Sequence, residues 1–191
     1  MGGNVLLKYL GENPGTSGLR CATAVSVPFD LAAAAARLDQ GFSRVYQAHL
    51  LHRLHRRMQV KLRRHSNLPF SRRDLARART FHDYDDRITA PLHGFESAAD
   101  YYAKASSARF IPYILEPTLV LHARDDPFLP SEAVPVAAQC GRGVVLEVPA
   151  HGGHLGFVTD PLPGLQRPWL ENRIVSFLHQ HFAHTADTRK P

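Results

Sequence analysis

The sequence predicts an α/β protein in which helices cover a parallel sheet of three strands and a further helical segment is inserted. Three observations support this fold class. Apolar runs of strand length, with little charge, occur at 19–28, 117–123 and 143–148, which is typical of parallel strands buried on both faces. Segments with helical periodicity lie between these runs and after the last one. The stretch 43–106 separates two of the runs and has no strand-like pattern.

The first half of the chain is predicted to be helical on either side of its strand. Apolar residues at helical spacing indicate a helix over 3–11, and the run 19–28 is the first strand. Asp30 is a suitable N-cap for the next helix, which Gly41 ends. A longer helix at about 43–65 carries an apolar stripe with arginines on the opposite side.

The second half is predicted to alternate between helix and strand. Short helices near 71–79 and 97–106 flank an acidic, aromatic segment at 80–95, which we expect to be an ordered loop. The remaining predicted elements are the strands 117–123 and 143–148, a helix at about 131–139, and a closing helix from Pro168 to about Phe182. One domain is therefore expected over 1–182, with a helical lid at about 43–106 and a disordered tail over 183–191.

The length and charge of the chain limit the classes of protein to which it can belong. A chain of 191 residues is long enough for one domain with a sizeable core. It has no bilayer-length apolar run, no signal-peptide pattern and two cysteines, so we expect a cytoplasmic protein without a disulfide framework. Ten Lys or Arg residues against one acid lie between Arg53 and Arg79. Such a segment is either a solvated helix face or a contact for an anionic partner.

Two loops carry candidate catalytic residues. Asp125 and Asp126 follow the second predicted strand, and His151 and His154 follow the third. Because functional residues gather at the carboxyl ends of parallel strands, an acid and a histidine from these loops are expected to meet. Such a pair can be the orienting acid and the general base of a hydrolytic triad.

Each of these residues also has a structural interpretation. Asp-Asp-Pro is common in turns, one aspartate could cap the helix near 131, and a histidine beside glycines could be an ordinary surface residue. A metal site made of His151, His154 and an aspartate is a less favoured alternative, because no further ligand stands nearby on a helix or strand. The order of acid and then histidine along the chain favours the triad.

A triad also needs a nucleophile. In hydrolases whose acid and histidine follow parallel strands in this order, the nucleophile precedes the acid in the chain and lies on a sharp strand-to-helix turn with the pattern G-x-S-x-G. Ser17 lies in a loop before a strand, and Ser26 is predicted within a strand. Ser106 and Ser107 end a helix without a glycine elbow, and Ser131 follows the acid. No serine of the sequence is therefore expected to be the nucleophile.

The chain resembles the α/β-hydrolase fold esterases called YheT-like, which are related to the animal abhydrolase-domain lipases. The resemblance covers nearly all of residues 1–182 and depends on several strings in the family's order. These are GGNVLLKYLGE, VSVPFDL, DYDDRITAPLHGFESAADYY, LHARDDPF, and GGHLGF followed by Trp169. The resemblance implies the C-terminal part of an α/β-hydrolase fold, with its last three parallel strands and a lid.

The resemblance also implies site residues. The family's nucleophile motif is similar to G-x-S-(Leu or Met)-G-G-N, so a serine is expected directly before Met1. The backbone N–H of Met1 would then contribute to the oxyanion hole. Asp126 matches the triad acid, with Asp125 as the near alternative, and His154 matches the general base. No cofactor is implied.

Two hypotheses of function follow. The resemblance implies a serine-type carboxylic ester hydrolase that acts on short or medium acyl esters or on lipids. Such a protein is compatible with peripheral contact with a membrane, and no nucleic acid is expected as a partner. Without the serine, the chain is expected to be inactive, and an unpaired edge on its first strand is expected to leave it marginally folded. The alternative is a non-catalytic remnant that binds an anionic partner, either nucleic acid or a membrane surface, through 53–79.

Overall fold

The computed structural model describes residues 1–157 and 169–183, and the chain divides into two compact units. The first unit takes in Met1–Phe29, Ser107–Asp126 and the described residues from Ser131 onwards. The second takes in Asp30–Ser106 and Pro127–Pro130, and so contains the whole segment predicted as a lid. The predicted helix start at Pro168 and residues 184–191 of the tail predicted over 183–191 lie outside the described residues.

The first unit is built on a parallel sheet, as predicted. Its strands, in their spatial order, are β1 (Ala22–Val25), β2 (Thr118–Leu121) and β3 (Val144–Glu147). Every residue of the central strand β2 is buried, which explains its uninterrupted apolar sequence. The strands are shorter than the apolar runs, and β1 ends where Ser26 adopts a left-handed backbone conformation with φ of 49°.

Helices account for about half of the remaining described residues. They are α1 (Gly2–Glu12), α2 (Leu31–Leu38), α3 (Ser43–Arg64), α4 (Arg72–Arg77), α5 (Phe81–Tyr84), α6 (Ala90–His93), α7 (Ala98–Ala105) and α8 (Trp169–Ala183). A π-helical turn over Asp85–Thr89 joins α5 to α6, and 3₁₀ turns span Ala108–Tyr113, Ser131–Ala133 and Ala137–Gln139. None of the described helices is both long enough and apolar enough to cross a bilayer.

Two predictions about local structure are wrong. Residues 80–95 are mainly helical, because Thr80 and Asp83 form a capping box that starts α5 and the π-helical turn continues it. The helix expected at 131–139 is replaced by two short 3₁₀ turns. Pro135 lies between them, and a proline inside a helix removes a backbone donor and crowds the preceding turn.

Helix α1 packs closely within the first unit, which explains Gly3 and Asn4 near its start. A Cβ atom on Gly3 would lie 2.7 Å from Val27 Cγ2, so only glycine allows this approach. The side chain of Asn4 is buried, and its Oδ1 accepts a hydrogen bond from the backbone N–H of Ser107 at 2.8 Å. The motif therefore fixes α1 against two segments that are distant in sequence.

Helix α8 covers part of the sheet in the same unit. Phe177 is buried in an apolar cluster with Leu119 and Leu121 of β2. Arg173 donates two hydrogen bonds through Nε and one through Nη2 to the carboxylate of Glu147 at the end of β3, over 2.5 to 3.1 Å. Apolar packing and an ion pair thus fix this helix to two neighbouring strands.

The aspartates of the string DYDDRIT organise the second unit. Asp83 caps α5. The hydroxyl of Tyr102 donates to Asp85 at 2.8 Å, and Asp86 accepts from the backbone N–H of Ala98 at 3.0 Å. Burial raises the pKa of Asp85 above its ordinary value, although its hydrogen bonds act in the opposite direction. These acids connect helices, which gives the string a structural explanation.

Candidate active site

The site is formed by two loops that leave the carboxyl ends of β2 and β3. Backbone hydrogen bonds continue beyond the strands: His122 N–H donates to Glu147 O at 3.1 Å, and Arg124 N–H donates to Pro149 O at 2.9 Å. The loop that carries the aspartates and the loop that carries the histidines therefore leave the sheet side by side. This is the juxtaposition expected from the order of strands.

Asp126 and His154 form the inner of two aspartate–histidine pairs. Nδ1 of His154 lies 2.9 Å from Oδ2 of Asp126. The Asp126 side chain is 1 % exposed, and that of His154 is 36 % exposed. A buried acid therefore orients a histidine that remains open to solvent. Because Nδ1 contacts the carboxylate, proton transfer by this imidazole would involve Nε2.

Asp125 and His151 form the outer pair, which has a different construction. Their closest atoms, Oδ2 and Nδ1, are 3.4 Å apart, and the side chains are 44 % and 86 % exposed. Asp125 Oδ1 also accepts the backbone N–H groups of Gly152 at 2.9 Å and Gly153 at 2.7 Å. Partial burial opposes ionisation, but these hydrogen bonds and His151 lower the pKa of Asp125. Asp125 thus binds the histidine loop to the acid loop.

Glycine is required at two positions of the histidine loop, for a different structural reason at each. A Cβ atom on Gly152 would lie 2.8 Å from the Cβ of Ala123 and 2.9 Å from Cδ1 of Phe157. Gly153 has φ of 53°, in the left-handed region that favours glycine. Together they let the loop turn closely against the acid loop and present His154 to Asp126.

His122 is a buried residue at this site that sequence reasoning did not single out. Its side chain is 1 % exposed, and Nε2 lies 3.9 Å from Oδ2 of Asp126. Its ring packs on Phe29 with centroids 5.4 Å apart. Burial lowers the pKa of His122 more than the carboxylate of Asp126 raises it, so the imidazole is neutral at pH 7. A polar residue directly after an apolar strand was the available signal.

Ser26 is placed differently from its prediction within a strand. It follows β1, and its Oγ donates a hydrogen bond to the backbone carbonyl of His154. Its N–H continues the sheet by donating to Leu121 O at 2.8 Å. Four residues, 27–30, separate it from α2, so it is not on a sharp strand-to-helix turn. Ser26 links the histidine loop to the end of β1.

The other candidate residues from the sequence are not part of the inner pair. Met1 is the N-cap residue of α1, and its carbonyl accepts from Val5 N–H at 3.2 Å. His151 and His154 are paired with different aspartates. Within residues 1–157 and 169–183, no cluster of three or more His, Cys, Asp or Glu side chains could hold a metal ion.

Residues 1–161 match the model of the alpha/beta hydrolase fold family. The chain is 37 % identical over 179 residues to the protein named "Putative esterase YheT" of Escherichia coli, and 31 % identical over 184 residues to a monoacylglycerol lipase of Saccharomyces cerevisiae. It is 31 % identical over 167 residues to the phospholipase ABHD3 of Mus musculus. No solved structure gives a significant match.

The alignments cover most of this chain and about half or less of each relative. They include 93 %, 93 % and 85 % of this chain, but 52 %, 40 % and 40 % of the relatives. The parallel sheet with flanking helices agrees with the C-terminal part of that fold. With a family match over residues 1–161 and relatives that are named as esterases and lipases, the chain belongs to the α/β-hydrolase fold family.

Proposed function

We propose that Asp126 and His154 are the acid and the general base of a serine-type carboxylic ester hydrolase. The observation that carries the proposal is the 2.9 Å contact between a buried carboxylate and a half-exposed imidazole at the carboxyl edge of the sheet. The names of the relatives support ester bonds as the substrate class, because an esterase, a monoacylglycerol lipase and a phospholipase are among them. Small-molecule or lipid esters are the proposed substrates.

In the proposed mechanism, Nε2 of His154 accepts the proton of the serine hydroxyl as the serine oxygen attacks the ester carbonyl carbon. Asp126 keeps the other ring proton on Nδ1 and stabilises the imidazolium that forms. His154 then gives its proton to the departing alcohol, which leaves an acyl-serine. Water releases the acid in a second round in which His154 again acts as base and then as acid.

The nucleophile and the oxyanion hole are assigned by resemblance. The family motif implies a serine directly before the string Met-Gly-Gly-Asn, and the peptide N–H of Met1 is the proposed oxyanion donor. The acid–base pair has nothing to activate in the absence of that serine. We therefore expect the 191-residue chain assayed by itself to be inactive.

Two measurements test these proposals. The first is hydrolysis of p-nitrophenyl esters by the 191-residue chain and by its His154→Gln variant, for which equal background rates are expected. Turnover that disappears in His154→Gln would show that a nucleophile lies within the chain. The second is proton NMR, in which the hydrogen bond from Nδ1 of His154 to Asp126 gives a low-field resonance. If Asp126→Asn and His154→Gln leave the spectrum unchanged there, the assignment of the pair is wrong.

The hydrolase activity itself is tested with the protein expressed together with the in-frame codons upstream of Met1. In that protein, p-nitrophenyl ester hydrolysis is expected, and Asp126→Asn or His154→Gln should abolish it. A fully active His154→Gln enzyme would contradict the proposed base.

A further inference from the structure

The positive charge of the chain is concentrated in one continuous segment. Between Gly41 and Arg73 there are nine Lys or Arg residues and no Asp or Glu. The rest of the chain has 14 Lys or Arg residues against 17 Asp or Glu, although the whole chain has a net charge of +6. The excess of positive charge therefore comes from α3 and the start of α4.

Helix α3 buries one side and exposes the other. Leu51 is buried in the apolar cluster of the second unit, and Leu54, Met58 and Leu62 pack against that cluster. On the opposite side, arginines and histidines are exposed at His49, His52, Arg53, Arg56, Arg57, Arg63 and Arg64. We call this exposed side the outward face of α3. Among the described residues, no ion pair engages its arginines.

The outward face also carries apolar side chains. Val60 is 44 % exposed and lies among the arginines. Near the amino-terminal end of the helix, Phe42 is 76 %, Val45 60 % and Tyr46 44 % exposed. At 100° per residue, these four side chains fall within the same half of the helix as Arg53 and Arg56. Exposed apolar groups among unpaired cations are typical of a helix that lies in a membrane interface.

We propose that the outward face of α3 docks the protein on the surface of an anionic lipid bilayer. Arginines near such a surface are attracted to the negatively charged headgroups, and exposed apolar side chains gain free energy by entering the boundary between headgroups and acyl chains. A nucleic acid would also attract the arginines, but its phosphates offer nothing to Val45 and Val60. The binding does not depend on the proposed hydrolysis.

The test is flotation of the full 191-residue chain with lipid vesicles at physiological salt. The probe is a vesicle of phosphatidylcholine with about 30 mol% phosphatidylglycerol, and vesicles of pure phosphatidylcholine are the comparison. Arg53→Gln/Arg56→Gln removes two exposed cations, and glutamine keeps a high helix propensity. At about 1 kcal/mol for each cation, vesicle affinity should fall about 30-fold.

Arg124→Gln/Arg142→Gln is the matched control, because it makes the same charge change at exposed positions of the first unit. Its affinity should stay within about twofold of the parent, because neither arginine belongs to the outward face of α3. Val60→Gln is a second variant that keeps every charge, and it should also bind vesicles more weakly. Circular dichroism of each variant checks that the helices are retained.

Four outcomes would overturn the proposal. They are no binding to phosphatidylglycerol vesicles, equal binding to pure phosphatidylcholine, equal loss in the two double variants, and no effect of Val60→Gln. If a nucleic-acid duplex binds more tightly than the anionic vesicles at the same salt, the partner is a nucleic acid instead. None of these outcomes bears on Asp126 and His154.

Discussion

The two aspartate–histidine pairs at the carboxyl edge of the sheet consist of the same residue types but differ in burial and bonding. In the inner pair the acid is 1 % exposed and the contact is 2.9 Å long. In the outer pair the acid is 44 % exposed, and the contact with a histidine that is 86 % exposed is 3.4 Å long. Solvent therefore has much greater access to the second contact than to the first.

This difference shows why adjacency in sequence does not decide the function of an acid. Asp125 uses its carboxylate mainly for two backbone N–H groups of the histidine loop. Asp126 is directed at the imidazole of His154, in a site of low dielectric where charge interactions are stronger. One aspartate thus holds the loop in place, and the other is suited to control the protonation of a base.

The largest expected effect is the difference in catalytic activity between variants of Asp126 and variants of Asp125. In a form of the protein that hydrolyses p-nitrophenyl esters, Asp126→Asn should lower kcat by about 10⁴, because an amide cannot keep the correct tautomer or stabilise the imidazolium. Asp125→Asn keeps an oxygen acceptor for Gly152 and Gly153 and should cost about tenfold or less. A larger loss for Asp125→Asn than for Asp126→Asn would exchange the two assignments.

The next effect concerns His122, the neutral histidine beside the inner acid. Burial lowers its pKa in the folded state, so the unfolded chain binds the proton first as the pH falls. The free energy of unfolding should therefore decrease as the pH falls below about 6.5, by at most about 1.4 kcal/mol per pH unit. His122→Gln cannot take up this proton and should show a smaller decrease.

Urea unfolding at pH 7.5 and 5.5 measures this difference between the parent chain and His122→Gln. The two proteins differ only at position 122, so the difference between their responses to pH reports on this histidine. If the parent instead gains stability relative to His122→Gln on acidification, His122 is protonated in the folded state. It would then form an ion pair with Asp126, and the inner acid would have two histidine partners.

The smallest effect concerns Ser26, which bonds the backbone of the inner histidine. Ser26→Ala removes the hydroxyl and should lower the free energy of unfolding by about 1 kcal/mol. Ser26→Gly removes the same hydroxyl but relaxes a left-handed φ of 49°. It should therefore be more stable than Ser26→Ala by about 1 kcal/mol. Equal urea midpoints for the two variants would show that backbone strain at this position is negligible.

The strands and the helices with clear periodicity could be predicted from sequence, because burial imposes the pattern directly. β2 is an example: its four residues are all buried and all lie in the predicted run 117–123. The meeting of an acid loop with a histidine loop followed from strand order alone. The parallel sheet and the family expected from the quoted strings are confirmed.

What the sequence did not predict depends on local backbone geometry and on contacts between distant residues. The helical character of 80–95 depends on a capping box and a π-helical turn, which the mixed composition of that segment conceals. Ser26 follows β1 in a left-handed backbone conformation of its own. His122 is positioned by the packing of its ring against Phe29. Neither feature leaves a periodic signal, so both had to be found in the structure.

The pairing of Ala22 with Thr118 has a consequence for the order in which the chain folds. β1 can complete its contacts with β2 only after the whole of Asp30–Ser106 has been synthesised, since that segment lies between them. The second unit is nearly continuous in sequence and depends on local helical contacts, which form quickly. During translation the second unit can therefore fold first. Until β2 has been synthesised, the apolar β1 stays unpaired on that side and must be protected from aggregation.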